Sequence, residues 1–285
     1  MQAKSSLAII ILAAVIVELT SALQYWYAYK GIKEETKHNA QNELDIKSLE
    51  ISRVMTGVEE AANNFAWILE RHLQNPDTIY GLSDFFLKHT KNVVGCGLAF
   101  KPHYFPEKGK WYEPYTKKNT NGPFKHDQIG KESHDYLNME FYEKTVEYDK
   151  GIWTEPYFDN EGAEMLLCTY TQPIHDKNGD VVGVFGADVS LDWLSNLIND
   201  STSNQESVKI LLSNKGTVIA CPVESLEMKT DIMKATSNMT DTGVVQLNQN
   251  MLQGKSGNAT IEDENGEKNM CFMDQYKEKR VGPWL

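Results

Sequence analysis

The chain has 285 residues, 41% of them apolar, so it exceeds one average domain and can build packed cores. A net charge of −12 without any basic stripe argues against a nucleic-acid partner, because phosphate binding draws on clustered Lys and Arg. Cys96, Cys168, Cys221 and Cys271 are widely spaced with no C-x-x-C pair, so they read as buried free thiols, with one disulfide as the open alternative.

Residues 7–27 are largely apolar, long enough at about 1.5 Å per residue to cross a hydrocarbon core of about 30 Å. Tyr25, Trp26 and Tyr27 close the run with interfacial aromatics, and Lys30, Lys33, Glu34 and Glu35 follow. The run exceeds a usual signal-peptide core and lacks a small-x-small site, which favours an uncleaved anchor over residues 1–29. Glu18 inside it is a costly carboxylate, expected to be protonated, paired or shielded, or simply tolerated.

Leu44, Ile51, Met55, Val58, Ala62, Phe65, Leu69 and Leu73 recur at helical spacing and predict a long amphipathic helix within residues 30–75, from about 33 to 74. Asn75-Pro76 ends it, because proline pushes the preceding residue out of the α region. Such a rod suits self-association, and a homodimer along it is expected.

Residues 92–100 read as a buried strand, and 101–129 as a long aromatic-rich loop of functional type. A helix over 139–149 then leads into strands over 153–159, 165–175 and 181–190. Asn178-Gly179 between the last two suits a type I′ turn. Asp176, Asn178 and Asp180 lack the spacing and terminal Glu of an EF-hand, so the turn is preferred to a calcium loop.

After a helix over 191–199 and a polar linker, a smaller set of elements follows. Strands are expected at 208–213 and 217–221, helices at 228–238 and 243–254, and a closing hairpin over 259–263 and 269–276. The fold class is α/β (α+β): a transmembrane helix, a long amphipathic helix, then two stacked modules with antiparallel sheets. The modules span 76–200, distal to the membrane, and 201–285, proximal to it.

Trp153-Thr154-Glu155-Pro156-Tyr157-Phe158-Asp159, Tyr170-Thr171-Gln172-Pro173-Ile174 and the run from Val182 to Leu191, in this order and spacing, resemble the core of the double Cache family. That resemblance covers residues 33–285 and implies a PAS-like extracytoplasmic sensor of a bacterial transmembrane receptor. Outputs of such receptors include histidine kinases, chemoreceptors and phosphatase or cyclase enzymes. Members usually continue into a second membrane span from a Trp-containing strand like the one ending at Leu285, so the chain looks like part of a longer receptor.

In amino-acid-binding members the distal pocket resembles a Tyr, an Arg five positions on, Trp-Tyr after one more residue, then a Tyr and two Asp. Tyr104, Trp111, Tyr112, Tyr157, Asp159 and Asp188 match these positions, with Lys110, Trp153 and Tyr170 as auxiliary candidates. Gly109 stands where the arginine would be, and Arg53, Arg71 and Arg280 lie far from this loop in sequence. Carboxylates and ring faces suit an ammonium group, whereas the bidentate fork for a ligand carboxylate is missing. An amine ranks first as ligand, an α-amino acid second.

Each residue also has a structural reading, with Asp188 as a helix cap and Trp111 and Tyr112 as plugs under the loop. Asp159, Glu164 and Asp188 with His103, His126, His134 and His175 match no catalytic or metal spacing. No cofactor, metal or catalytic residue is therefore expected. An anchored solute-binding or adhesion protein is the alternative, and a metal-dependent hydrolase a remote one.

Overall fold

A computed structural model describes residues 2–119, 121–199, 209–213, 215–220, 242–253, 255–262 and 268–273. Helix α1, Gln2–Glu70, is continuous, fusing the expected anchor and rod into 69 residues, about 100 Å long. Its apolar side chains from Ile9 to Leu23 are exposed, as a lipid-facing span requires, and by length and composition it passes as a membrane-crossing helix. The helix stops four residues earlier than Asn75-Pro76 predicts. Arg71 and His72 tighten into bonds to the carbonyls of Ile68 and Leu69, and a short 3-10 turn follows at Pro76–Thr78.

A second helix, α2, Ile79–His89, precedes β1, Gly95–Phe100. Contrary to the reading of 101–129 as a single loop, it contains β2, Pro114–Lys117, and β3, Lys125–Gln128. Helix α3, Glu140–Tyr148, leads to β4, Ile152–Trp153, and β5, Tyr157–Phe158, which flank Pro156. The long hairpin is β6, Leu166–His175, and β7, Val181–Ser190. The sheet order is β3-β2-β1-β7-β6-β4, with β5 also on β6, and every pairing is antiparallel. At the 176–180 turn only Gly179 takes a positive φ, of 86°. The turn is thus a type I turn with a glycine bulge, not type I′, and Asp176 Oδ1 accepts the N–H groups of Asn178 and Asp180.

Strand alternation gives the sheet two unlike faces. One carries Phe185, Ala187 and Val189 of β7 with Cys96, Leu98 and Phe100 of β1, packed on Val58, Ala62, Phe65 and Leu69 of α1. Phe65, Phe86 and Phe185 meet with ring centroids 4.7–5.0 Å apart and join α1, α2 and β7. Three polar bonds fix the height of α1 on the sheet. Trp153 Nε1 donates to Glu59 at 2.7 Å, the Tyr170 hydroxyl to Asn63 at 3.2 Å, and the His175 backbone N–H to Glu70 at 2.9 Å. Residues 59, 63 and 70 lie on one helical stripe, and Trp153 pairs with Tyr170 across β4 and β6.

Helix α4, Asp192–Asn199, ends the first sheet unit. Beyond it come β8, Leu211–Leu212, and β9, Val218–Ala220, then α5, Thr242–Leu252, and a hairpin of β10, Gly257–Glu262, with β11, Lys268–Met273. The element order follows the sequence reading; the helix expected at 228–238 lies outside the described residues. Leu211 and Ile219 pack on the α1 core, and Lys209 pairs with Glu43 at 2.6 Å. Cys96, Cys168 and Cys271 are free thiols, and Cys221 also lies outside the described residues.

His175 forms a charged clamp at the distal end of α1, with Nδ1 3.0 Å from Glu70 and Nε2 2.6 Å from Asp149. Burial lowers its pKa, but the bonds to Asp149 and Glu70 outweigh this and raise it. The raised folded value means the clamp stabilises fully below the ordinary imidazole range and is lost as pH rises through the raised value. Denaturant titrations of wild type and His175→Gln should therefore differ most in mildly acid buffer and converge in alkaline buffer. A gap that ignores pH would refute the clamp.

Candidate functional site

The face of the sheet away from α1 is floored by glycine. Gly95 pairs with Asp188, and Gly97 with both Gly186 and Tyr115. Asp188 in turn faces Thr169 on β6, so Gly95, Asp188 and Thr169 form one row across three strands. A Cβ at Gly95 would collide with the Tyr115 hydroxyl, and one at Gly97 would press on its ring at 3.1 Å. With neither present, the Tyr115 ring lies over both glycines and its hydroxyl donates to Asp188 Oδ2 at 2.6 Å. The Thr169 hydroxyl donates to Asp188 Oδ1 at 2.7 Å.

Asp188 is only 4% exposed, and among the described residues it has no ion pair with a cation. Burial pushes its carboxyl up to about 7; the hydrogen bonds from Tyr115 and Thr169 oppose this, and Asp159 and Glu113 add to it. Tyr157 presents 38% of its surface to solvent yet turns its hydroxyl inward, 2.9 Å from Thr169 Oγ1. Burial and the nearby Asp188 raise both the Tyr157 and Tyr115 hydroxyls.

Asp159 holds the turn that covers this face, accepting the N–H groups of Glu161, Gly162 and Ala163 at 3.2, 3.1 and 2.6 Å. Gly162 is required there, since a Cβ would lie 2.6 Å from Asp159 Oδ2 and 2.7 Å from the Tyr115 ring. Lys117 straps the turn by donating to the Gly162 carbonyl at 2.8 Å and to Glu164 at 3.0 Å; Lys131 pairs with Glu161 at 2.5 Å.

Of the residues singled out in the sequence, Trp111, Tyr157, Asp159 and Asp188 share this face. Trp111 packs beside Ala99, Tyr136 and Val184, its Nε1 donates to Asp135 at 2.9 Å, and Lys110 Nζ sits 4.4 Å from its ring. Tyr104 and Tyr112 lie elsewhere: both stack on Phe100 in the α1-side core. Tyr112 also lines an open groove of about 470 Å³ with Asp77, Tyr80 and Lys108. Trp153 and Tyr170 face α1, as described. Gly109, where the family pattern has arginine, takes φ +81° and ψ −157°, a backbone state favoured by glycine.

Sequence reading missed Glu113, Tyr115 and Thr169, and set His134 aside with the other histidines. Trp111, Glu113 and Tyr115 alternate onto one face, a period-two signal concealed by treating the segment as a loop. Glu113 is buried, and His134 Nε2 lies 3.4 Å from its Oε2. Burial raises the Glu113 carboxyl, His134 opposes this, and pairing with Glu113 raises the His134 imidazole against its own burial.

Residues 79–196 match the model of the methyl-accepting chemotaxis protein-like first PDC sensor domain. A comparison with curated proteins finds no match. Among solved structures, the chain is similar to the extracellular domain of soHK1S-Z6, assigned as a histidine kinase, at TM-score 0.66 and 18% identity over 87% of this chain and 92% of that one. It is also similar to the periplasmic sensory domain of the Campylobacter jejuni chemoreceptor Tlp1, at TM-score 0.68 and 14% identity over 83% and 88%. A third is the ligand-binding domain of the Pseudomonas fluorescens chemoreceptor CtaA in complex with L-serine, at TM-score 0.58 and 16% identity over 84% and 89%. At these identities the likeness is one of fold, and the fold is that of a PDC, or Cache-type, sensor domain.

Two stability measurements test the floor of the site. Gly95→Ala should displace Tyr115 and cost about 1–3 kcal/mol by denaturant titration; an unchanged midpoint would show that the ring yields freely. Asp188 holds its proton more tightly folded than unfolded, so ligand-free stability falls as pH rises from about 4 to about 7. Asp188→Asn should therefore stabilise the ligand-free protein at pH about 8, by on the order of 2–4 kcal/mol, and lose that advantage near pH about 4.

Proposed function

We propose that this chain is the extracytoplasmic sensing segment of a transmembrane signalling receptor, held in the cytoplasmic membrane by the start of α1, with residues after about 29 outside. Its ligand is a small amine or amino-acid-like molecule, bound by its ammonium group over Asp188 in the distal module, residues 76–200. Residues 201–285 form the smaller, membrane-proximal module. The output is of histidine kinase, chemoreceptor or phosphatase/cyclase type, and the sensing segment itself is not an enzyme.

One observation carries the ligand assignment: a buried carboxylate, raised to about 7, is hydrogen-bonded by two hydroxyls and faced by two further acids. A carboxylate offers about four acceptor sites, and among the described residues two are used at Asp188. An ammonium entering there gains charge-assisted hydrogen bonds and relieves the cost of the buried charge. Tyr157 and Trp111 edge the same face with aromatic surface. CtaA, a neighbour of the same fold, is solved in complex with L-serine, a small molecule that carries an ammonium group, while Gly109 in place of arginine favours ligands that do not need a carboxylate grip.

Transmission follows from the two faces of β6. Thr169 belongs to the ligand face, and its neighbour Tyr170 bonds Asn63 of α1 from the opposite face. A ligand that favours one placement of Thr169 thus biases the grip on α1, by no more than its difference in affinity for the two placements. Homodimerisation through the exposed length of α1 delivers the bias to the membrane as a relative shift of two helices.

Binding of a cation requires ionised Asp188, so it expels a proton below pH 7. Titration calorimetry of the full chain in detergent with simple primary amines should show affinity falling up to about tenfold per pH unit below 7. Proton release should accompany binding at pH about 6, and Asp188→Ala should abolish both signals. Binding that strengthens in acid, or survives Asp188→Ala unchanged, would overturn the assignment.

A further inference from the structure

We propose that the groove between α1 and the end of α2 is a separate binding site, one that takes a small dicarboxylate. It lies on the α1 side of the sheet, away from Asp188, and does not depend on the cation reading above. The groove is open and encloses about 290 Å³. Arg53, Val54, Gly57, Val58 and Ala61 of α1 form one wall. His89, Lys91 and Asn92, where α2 gives way to β1, form the other. Among the described residues no carboxylate lines it, although the chain carries a net charge of −12.

The cations around the groove are not neutralised from within. Arg53 and Lys91 have no ion pair among the described residues, and Glu50, one turn before Arg53, is held 3.5 Å from Lys47 instead. His89 Nδ1 donates to the Phe85 carbonyl at 2.7 Å, which leaves Nε2 for another partner. The carbonyl end of a helix ordinarily repels an anion. Here the Lys118 ammonium covers that end, donating to the carbonyls of Thr90 at 2.7 Å and Lys91 at 3.1 Å. The repulsion is thereby replaced by a further positive charge beside the groove.

Two features select the class of anion. Cations stand on both walls, and Arg53 has the planar fork that takes a carboxylate in two parallel hydrogen bonds. Between them Val54, Val58 and Ala61 offer apolar surface, which methylenes cover and a compact inorganic anion does not. Gly57 keeps the space clear, since no atom stands within 4 Å of where its Cβ would be. Glycine weakens a helix interior, and no packing neighbour requires it at this position. A dicarboxylate spanning the walls ties α1 to the segment that runs into Val94, whose N–H donates to the Asp188 carbonyl at 2.8 Å. It is a second grip on α1, on the opposite face of the sheet from the Asp188 side chain.

The test is titration calorimetry of the full chain in detergent with succinate, n-butyrate and sulfate in low-salt buffer. Wild type should bind succinate at least tenfold more tightly than n-butyrate or sulfate, and added salt should weaken it by screening the exposed cations. Arg53→Gln and Lys91→Gln should each weaken succinate at least fivefold. Gly57→Leu should abolish binding by filling the groove. Leucine is the better helix former and meets open space there, so the denaturation midpoint of that variant should be no lower than that of the wild type. Succinate that fails to bind the wild type, or binds no better than n-butyrate or sulfate, would overturn the proposal. So would succinate binding that survives Gly57→Leu, since the anion would then sit elsewhere. None of these results bears on the amine titrations at Asp188, so the two readings stand or fall separately.

Discussion

Two missing methyl positions on β1 organise the polar face of the sheet. Because Gly95 and Gly97 carry no side chain, Tyr115 lies flat on the sheet and meets Asp188, and the Asp159 turn closes over that ring. With any larger residue at either position, the tyrosine would stand off, the carboxylate would lose a donor, and the covering turn would lose its support. The apolar face needs no such allowance, because branched and aromatic residues there interdigitate with α1 in the ordinary way.

The same strands therefore do two kinds of work with alternate residues. Phe185, Ala187 and Val189 provide the burial that holds α1, while Gly186 and Asp188 between them serve the polar face. A one-residue slip of β7 would exchange the two sets and ruin both. Its long pairing with β6, nearly unbroken from Leu167 to His175, guards against that slip. The register shift is confined to the end of the hairpin, where Gly179 makes the turn.

The long α1 helix, the β6–β7 hairpin and the order of the later elements were legible because each rests on local periodicity or on turn residues. Tyr157, Asp159 and Asp188 were singled out by their family pattern, and the structure places them on one face with Trp111. Tyr104 and Tyr112 were less so, since aromatic residues serve a core as well as a site and only strand parity separates the two. Glu113 and Tyr115 escaped for a related reason. Their strand is four residues long and rich in polar side chains, too short for alternation to stand out from a loop. The tight turn type was missed because Asn178 suits both turn families and the backbone twist of the flanking strands decides between them.

The continuity of α1 has a geometric corollary. From the apolar stretch to the sheet no proline or break interrupts its 69 residues, while Glu59, Asn63 and Glu70 lock its far end to β4 and β6. Where the apolar stretch crosses a bilayer, its azimuth there is thus dictated by the sheet. Every residue added to or removed from the stretch between them would swing the lipid-facing stripe by about 100°, so this stretch is a phase ruler whose length in residues sets which side of the anchor meets a neighbour.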